Sequence, residues 1–221
     1  MPLSTFRRLL TQVISTSKSP DQIVRINSIN LFKALLTLHD PQDPHDFHKV
    51  AGLELLSLLK AGKTAGPDHR IALYSMLSFL PPTEGVSAIL VQTTTLLSKE
   101  TSEAAIAALA AALPPHIVFL FRHSSLPSET VQVIAKEMGS TKPAVRRALV
   151  GLAGSVFLDE QAVLDTENGV AFAKLLLPSF ESCLKNVSTN PLNTGPLEGY
   201  ISAAVLLGSF AKSKEFGLFN C

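Results

Sequence analysis

The feature that most narrows the fold of this 221-residue chain is a recurrence of helix-start signals. Pro20-Asp21, Pro67-Asp68, Thr101-Ser102-Glu103 and Thr141-Lys142-Pro143 each stand ahead of an apolar helical pattern. Proline preorganises the first turn, and a hydroxyl or carboxylate there accepts an orphan backbone N–H or complements the helix dipole. The starts recur about every 40 residues, the period of stacked helical hairpins. Partner helices are expected near 3–15, 45–60, 82–98 and 127–138, with a fifth pair at 168–187 and 196–211. Pro81-Pro82, Pro114-Pro115 and Pro127 fall where one hairpin hands over to the next. Alternating apolar and polar runs that would signal strands are absent.

The chain therefore reads as all-α, a HEAT/armadillo-like α-solenoid of about five helical hairpins. A single array is expected over 1–221, with hairpins at approximately 1–40, 41–80, 81–114, 115–158 and 159–212, then a tail at 213–221. Composition agrees. The chain is 46% hydrophobic but only 17% charged, against about 25% in an ordinary soluble domain. In a solenoid each helix touches its own partner and both neighbouring repeats, so a wide apolar face is needed. Residues 20–37 carry one, with Ile23, Val24, Ile26, Ile29, Leu31, Phe32, Leu35 and Leu36 spread over most of the circumference. In 144–156, Val145, Ala148, Leu149, Leu152 and Val156 form one stripe, with Arg146 and Arg147 off it.

Lipid is the competing explanation for so little charge. Residues 104–121 approach the length of a membrane span, but Pro114-Pro115 divides them, since the prolines delete backbone donors and disfavour helical geometry at Leu113. The N-terminal segment, with Arg7, Arg8 and Lys18 and no acid before Asp21, shares the composition of a transit peptide. It also reads as an amphipathic helix facing Leu3, Phe6, Leu10, Val13 and Ile14 inward, the same design as the helices that follow.

Catalytic and cofactor signatures are lacking, and no enzyme, catalytic residue or cofactor is expected. Gly62-Lys63-Thr64 resembles the tail of a phosphate-binding loop, but Ser57 stands where the motif needs its first glycine and no strand precedes it. Cys183 and Cys221 are too few for a disulfide scaffold or a cysteine zinc site. Asn186-Val187-Ser188 forms a glycosylation sequon without a secretory context. His39, Asp40, Asp43, His45, Asp46 and His48 crowd one proline-containing stretch, and His39, Asp43, His45 and His48 are its candidate metal ligands. The spacing matches no familiar ligand set, so the stretch reads as a helix junction whose acids cap the helix that follows. Arg122, His123, Lys142, Arg146 and Arg147 gather around one hairpin. Arg122, Lys142, Arg146 and Arg147 are the candidate partner-binding residues, able to touch ribosomal RNA phosphates or to form a solvated face. A net charge of +1 excludes a strong field selecting DNA or an anionic membrane.

Two stretches carry a family resemblance: 127–156 (PSETVQVIAKEMGSTKPAVRRALVGLAGSV) and 190–214 (NPLNTGPLEGYISAAVLLGSFAKSK). They resemble the N-terminal HEAT array of the general-control translational activator family, with Gly195-Pro196-Leu197-Glu198-Gly199 leading into an alanine/leucine helix. The rest of the chain is compatible by general character. The resemblance implies a non-catalytic, ribosome-associated scaffold that supports activation of the kinase of translation initiation factor 2 alpha subunit during amino-acid starvation. It also implies a cytoplasmic location and a fungal source. The family's elongation-factor-like central region and later kinase-binding region have no counterpart here, so no kinase-contacting residue carries over. A generic HEAT adaptor in transport, and a membrane-associated or organelle-targeted helical protein, are the alternatives. Neither end shows a polar capping helix, so self-association through the ends is expected.

Overall fold

The computed structural model describes residues 2–39, 46–159, 162–163, 165–192 and 194–211, and the side chains of all of these except 175–177, 179–180, 203–204 and 206–211. Helices begin where local chemistry starts them. After α1 (Leu3–Thr16), the carboxylate of Asp21 accepts the Ile23 N–H at 2.7 Å to open α2 (Gln22–Thr37). Asp46, in left-handed geometry, caps α3 (Phe47–Lys60) through the Lys49 N–H. Pro67 occupies the first turn of α4 (Pro67–Leu77). Thr83 caps α5 (Glu84–Leu90), and Ser102 caps α6 (Glu103–Ala112). The array continues with α7 (Pro114–His123), α8 (Ser128–Met138), α9 (Pro143–Phe157), α10 (Glu167–Thr189) and α11 (Gly195–Ala211). No strand occurs among the described residues.

These helices form two layers. α2, α4, α6, α9 and α11 stand in a row, each packed on the next. α1, α3, α5 with its continuation, α8 and α10 make the second row, and hairpin partners join the two. This is the α-solenoid. A continuous core runs between the layers, with Phe6, Phe32, Phe47, Tyr74, Phe157 and Phe172 almost completely buried.

Several local expectations change. The helix expected over 82–98 converts to a 3-10 helix at Val91–Leu96, where Thr93, Thr94 and Thr95 each donate their hydroxyl to the carbonyl three residues back. β-Branched side chains tied to their own backbone weaken the α form and suit the tighter turn. Thr141 does not cap α9; Pro143 takes the first helical position, so Lys142 becomes the capping residue, without a side-chain bond to the helix. Leu113 keeps right-handed helical angles before Pro114. The break there comes instead from the missing N–H groups of Pro114 and Pro115, which leave Ala110 and Ala111 without helical donors.

Beyond the break, α7 is a helix additional to the hairpin pattern, wedged among α5, α6, α9 and α10. The run Glu103–His123 is long and apolar enough to cross a membrane, yet 61% of its most apolar window is buried within the protein. His116, in the first turn of α7, lies in that interior with Nδ1 3.1 Å from the Ser87 hydroxyl oxygen, and burial pulls its pKa down to about 4.

The wide apolar face holds for the inner helices but not for α2. α4 has neighbours on both sides and buries Ala72, Leu73, Tyr74, Met76 and Leu77. α2 has one neighbour, α4, in its own row, so Ile23 (68% exposed), Val24, Ile26 and Leu31 (55%) remain in contact with solvent.

Candidate functional site

The polar side chains that structure this charge-poor chain converge at the N-terminal ends of helices in the row α2, α4, α6, α9 and α11. Arg25, Arg70 and Arg146 each occupy the fourth position of their helix, so each guanidinium emerges at the same edge. Arg25 pairs with Asp68 of the next helix at 3.1 Å and donates to the carbonyls of Ser19 and Pro20. Arg70 grips Glu100 with two parallel bonds, Nε to Oε2 at 2.7 Å and Nη2 to Oε1 at 2.9 Å. Arg146 donates to the Ser140 carbonyl at 2.7 Å and lies 3.8 Å from Glu198 of α11. Together they tie one repeat to the next along an edge.

Glu100 is the centre of this edge. Its side chain is almost fully buried and also accepts the N–H groups of Thr101 and Ser102, at 2.8 and 3.0 Å, immediately before α6. Burial by itself raises a carboxyl pKa, but the Arg70 and backbone hydrogen bonds outweigh it and hold Glu100 below the usual carboxylate range. Burial and then the Glu100 charge push Tyr74 up, and the same carboxylate raises Arg70. The sequence reading missed Glu100. The available signal was an arginine at the fourth position of three helix starts, which requires an acid from the neighbouring repeat.

The four basic candidates divide. Lys142 and Arg146 are committed internally: Lys142 donates Nζ to the carbonyls of Ser98 and Glu100 at 2.7 and 3.3 Å, and Arg146 is buried. Arg147 is 68% exposed and reaches Glu103 at 3.4 Å, a solvated pair that contributes little stability. Arg122 bonds both oxygens of Asp159 at 2.6 Å, at the far end of α9 from the other three.

Gly195 to Tyr200, the segment quoted for the family resemblance, is a lock between the α8–α9 hairpin and α11. Gly199 lies so close to the Met138 carbonyl that any Cβ would collide with it. Tyr200 packs over Gly139, whose Cβ would fall 2.5 Å from the ring, and donates its hydroxyl to the Ala135 carbonyl.

The remaining motifs resolve into local structure. Gly62 (φ +64°) ends α3: its N–H bonds Leu59 O and the Lys63 N–H bonds Leu58 O, both at 3.2 Å. The phosphate-loop tail is thus a Schellman cap. Of the histidine/aspartate stretch, Asp40, Asp43 and His45 lie outside the described residues. His39 stacks on Phe47 with ring centres 3.9 Å apart and meets Phe6 edge-on. His48 is buried in α3, and no group of three metal-ligating side chains occurs among the described residues. The apolar tail residues Phe216, Leu218, Phe219 and Cys221 also lie outside the described residues.

Compared with known proteins, residues 67–219 match the family model described as general control nonderepressible 1 (Gcn1) N-terminal, more than two-thirds of the chain. No curated protein and no solved structure matches.

Proposed function

The chain belongs to the Gcn1 N-terminal family, and from that premise we propose that it is a non-catalytic HEAT-repeat scaffold that binds the ribosome and supports activation of the initiation-factor-2-alpha kinase under amino-acid starvation. The match over residues 67–219 is the observation that carries this reading, and it places the chain in general-control translational regulation. The architecture suits the role, because stacked hairpins expose an extended surface on a rigid frame. Its partners are the ribosome and proteins, with neither DNA nor membrane among them, and its location is the cytoplasm.

Arg147 and Arg122 are the residues proposed to meet ribosomal RNA phosphates: Arg147 has an exposed carboxylate partner that exchanges readily for phosphate, and Arg122 is itself exposed beside the half-buried Asp159. Lys142 and Arg146 serve the same surface by holding the N-terminal end of α9 in register. Sucrose-gradient sedimentation tests the proposal. The chain should travel with intact ribosomes in magnesium and with subunits after chelation, and Arg147→Glu should move it toward the top. A chain that stays at the top under both conditions removes the ribosome role for these residues.

The exposed apolar face of α2 supports a second element of the reading, association between copies through this face. Light scattering should show a mass above the monomer at micromolar concentration.

A further inference from the structure

Between α8, α10 and the start of α11 lies an open cavity of about 500 Å³, beside the Tyr200 lock but on its other side from Arg146 and Arg147. Its floor is buried: Tyr200, Pro196 and the Cys183 thiol, whose pKa burial raises. Its rim is exposed and polar. Gln132 and Lys136 stand one turn apart on α8, while Ser182 and Asn186 stand one turn apart on α10. The side chains of Gln132, Lys136 and Asn186 make no hydrogen bond or ion pair among the described residues. Arg122, Lys142, Arg146 and Arg147, by contrast, all have partners. No acid lines the cavity among the described residues.

We propose that this cleft binds a short extended peptide segment carrying a carboxylate side chain next to an apolar one. Three features select that occupant. Along α10 the cleft runs from Pro178 to Asn186, about 12 Å at the helical rise, the length of three to four extended residues. Carboxamides donate and accept at once, so Gln132 and Asn186 on opposite walls can pair with both the N–H and the C=O of a peptide backbone. Lys136 is the charged side chain of the described lining, which a carboxylate neutralises, while the buried floor receives the apolar side chain. The cleft is too open to enclose a small ligand, and a peptide satisfies it from one side. This proposal does not depend on ribosome binding.

The test uses the full chain and a fluorescein-labelled octapeptide alternating aspartate and leucine, with an asparagine/leucine octapeptide as the uncharged control. Anisotropy should rise saturably with the acidic probe, and the control should bind at least about tenfold more weakly, the value of one charge-assisted contact. Lys136→Glu and Asn186→Ala, both at exposed positions, should weaken binding about tenfold or more, while Arg147→Glu leaves it unchanged. In a Cys221→Ser background the bound probe should slow alkylation of Cys183. Circular dichroism confirms that each variant is folded, and Lys136→Gln replaces the glutamate variant if that one is not. The proposal is overturned by no saturable signal at on the order of 100 μM protein, by equal binding of both probes, or by binding that Lys136 variants and Cys183 alkylation do not register.

Discussion

Replacing Glu100 by alanine should be among the most destabilising changes available outside the apolar core. The carboxylate is almost fully buried, receives two bonds from Arg70, and satisfies the N–H groups of Thr101 and Ser102 at the entrance to α6. Truncation leaves the partly buried Arg70 guanidinium without its counter-charge and two backbone donors without an acceptor. Removing one member of a buried pair costs about 3–5 kcal/mol. For a chain of this size each kcal/mol moves Tm by roughly 2–4 °C, so the midpoint should fall by about 6–20 °C. Urea denaturation of Glu100→Ala, Arg70→Met and the double variant measures the pair directly. Arg70→Met alone buries an uncompensated carboxylate, whereas in the Glu100→Ala background it removes a guanidinium that has already lost its partner. The two effects should therefore be strongly non-additive. The folded pKa of Glu100 lies below its unfolded value, so its stabilisation is complete above the unfolded pKa and is lost as pH falls through the folded one. Additive single effects, or a loss below about 1 kcal/mol, the size of an exposed pair, would refute the assignment of Glu100 as the centre of the edge.

Three further outcomes follow from the same packing. His116 is held at about 4 by burial against an ordinary 6.5, so folding favours its neutral form and stability drops as pH falls below 6.5. At pH 5 the loss should be ~2 kcal/mol, with buried His69, also lowered by burial and then by Lys18, acting in the same direction; a His116→Gln variant with an unchanged difference between pH 7 and pH 5 would contradict this. Gly199→Ala should cost about 1–3 kcal/mol by forcing α11 off the Met138 carbonyl, and in a Tyr74→Phe background, with no tryptophan present, fluorescence of Tyr200 should report the local loosening. Ile23→Glu with Leu31→Glu should reduce association between copies while changing stability by no more than about 0.5 kcal/mol, because both side chains are already largely exposed; a light-scattering mass that does not change removes α2 from the contact.

Local chemistry made the helices legible in the sequence. Asp21, Ser102 and Pro67 act on backbone groups within their own first turn, so the starts of α2, α6 and α4 could be read from adjacent residues. The period of those starts implied stacking, and apolar faces wide enough for several neighbours implied a solenoid. Local rules also had limits. The threonines at 93–95 looked compatible with a helix, and only their backbone-directed hydroxyls reveal the change to 3-10 geometry. Basic residues around α9 looked like one exposed cluster, yet the fold buries Arg146, commits Lys142 to carbonyls and sends Arg122 to the opposite end.

Sequence alone therefore determined that the chain is helical, repeating and too apolar to expose most of its surface, because caps, prolines and hydrophobic period act within a turn or two of their own position. Tertiary structure decided which charges find partners and which remain for others. Glu100 meets Arg70 across 30 positions and Tyr200 meets Ala135 across 65, contacts set by the register of one hairpin against another. The same stacking leaves one side of α2 exposed and, among the described residues, sets no acid beside Lys136 in its cleft. Both are properties of where the helices stand, and no stretch of sequence around either residue contains them.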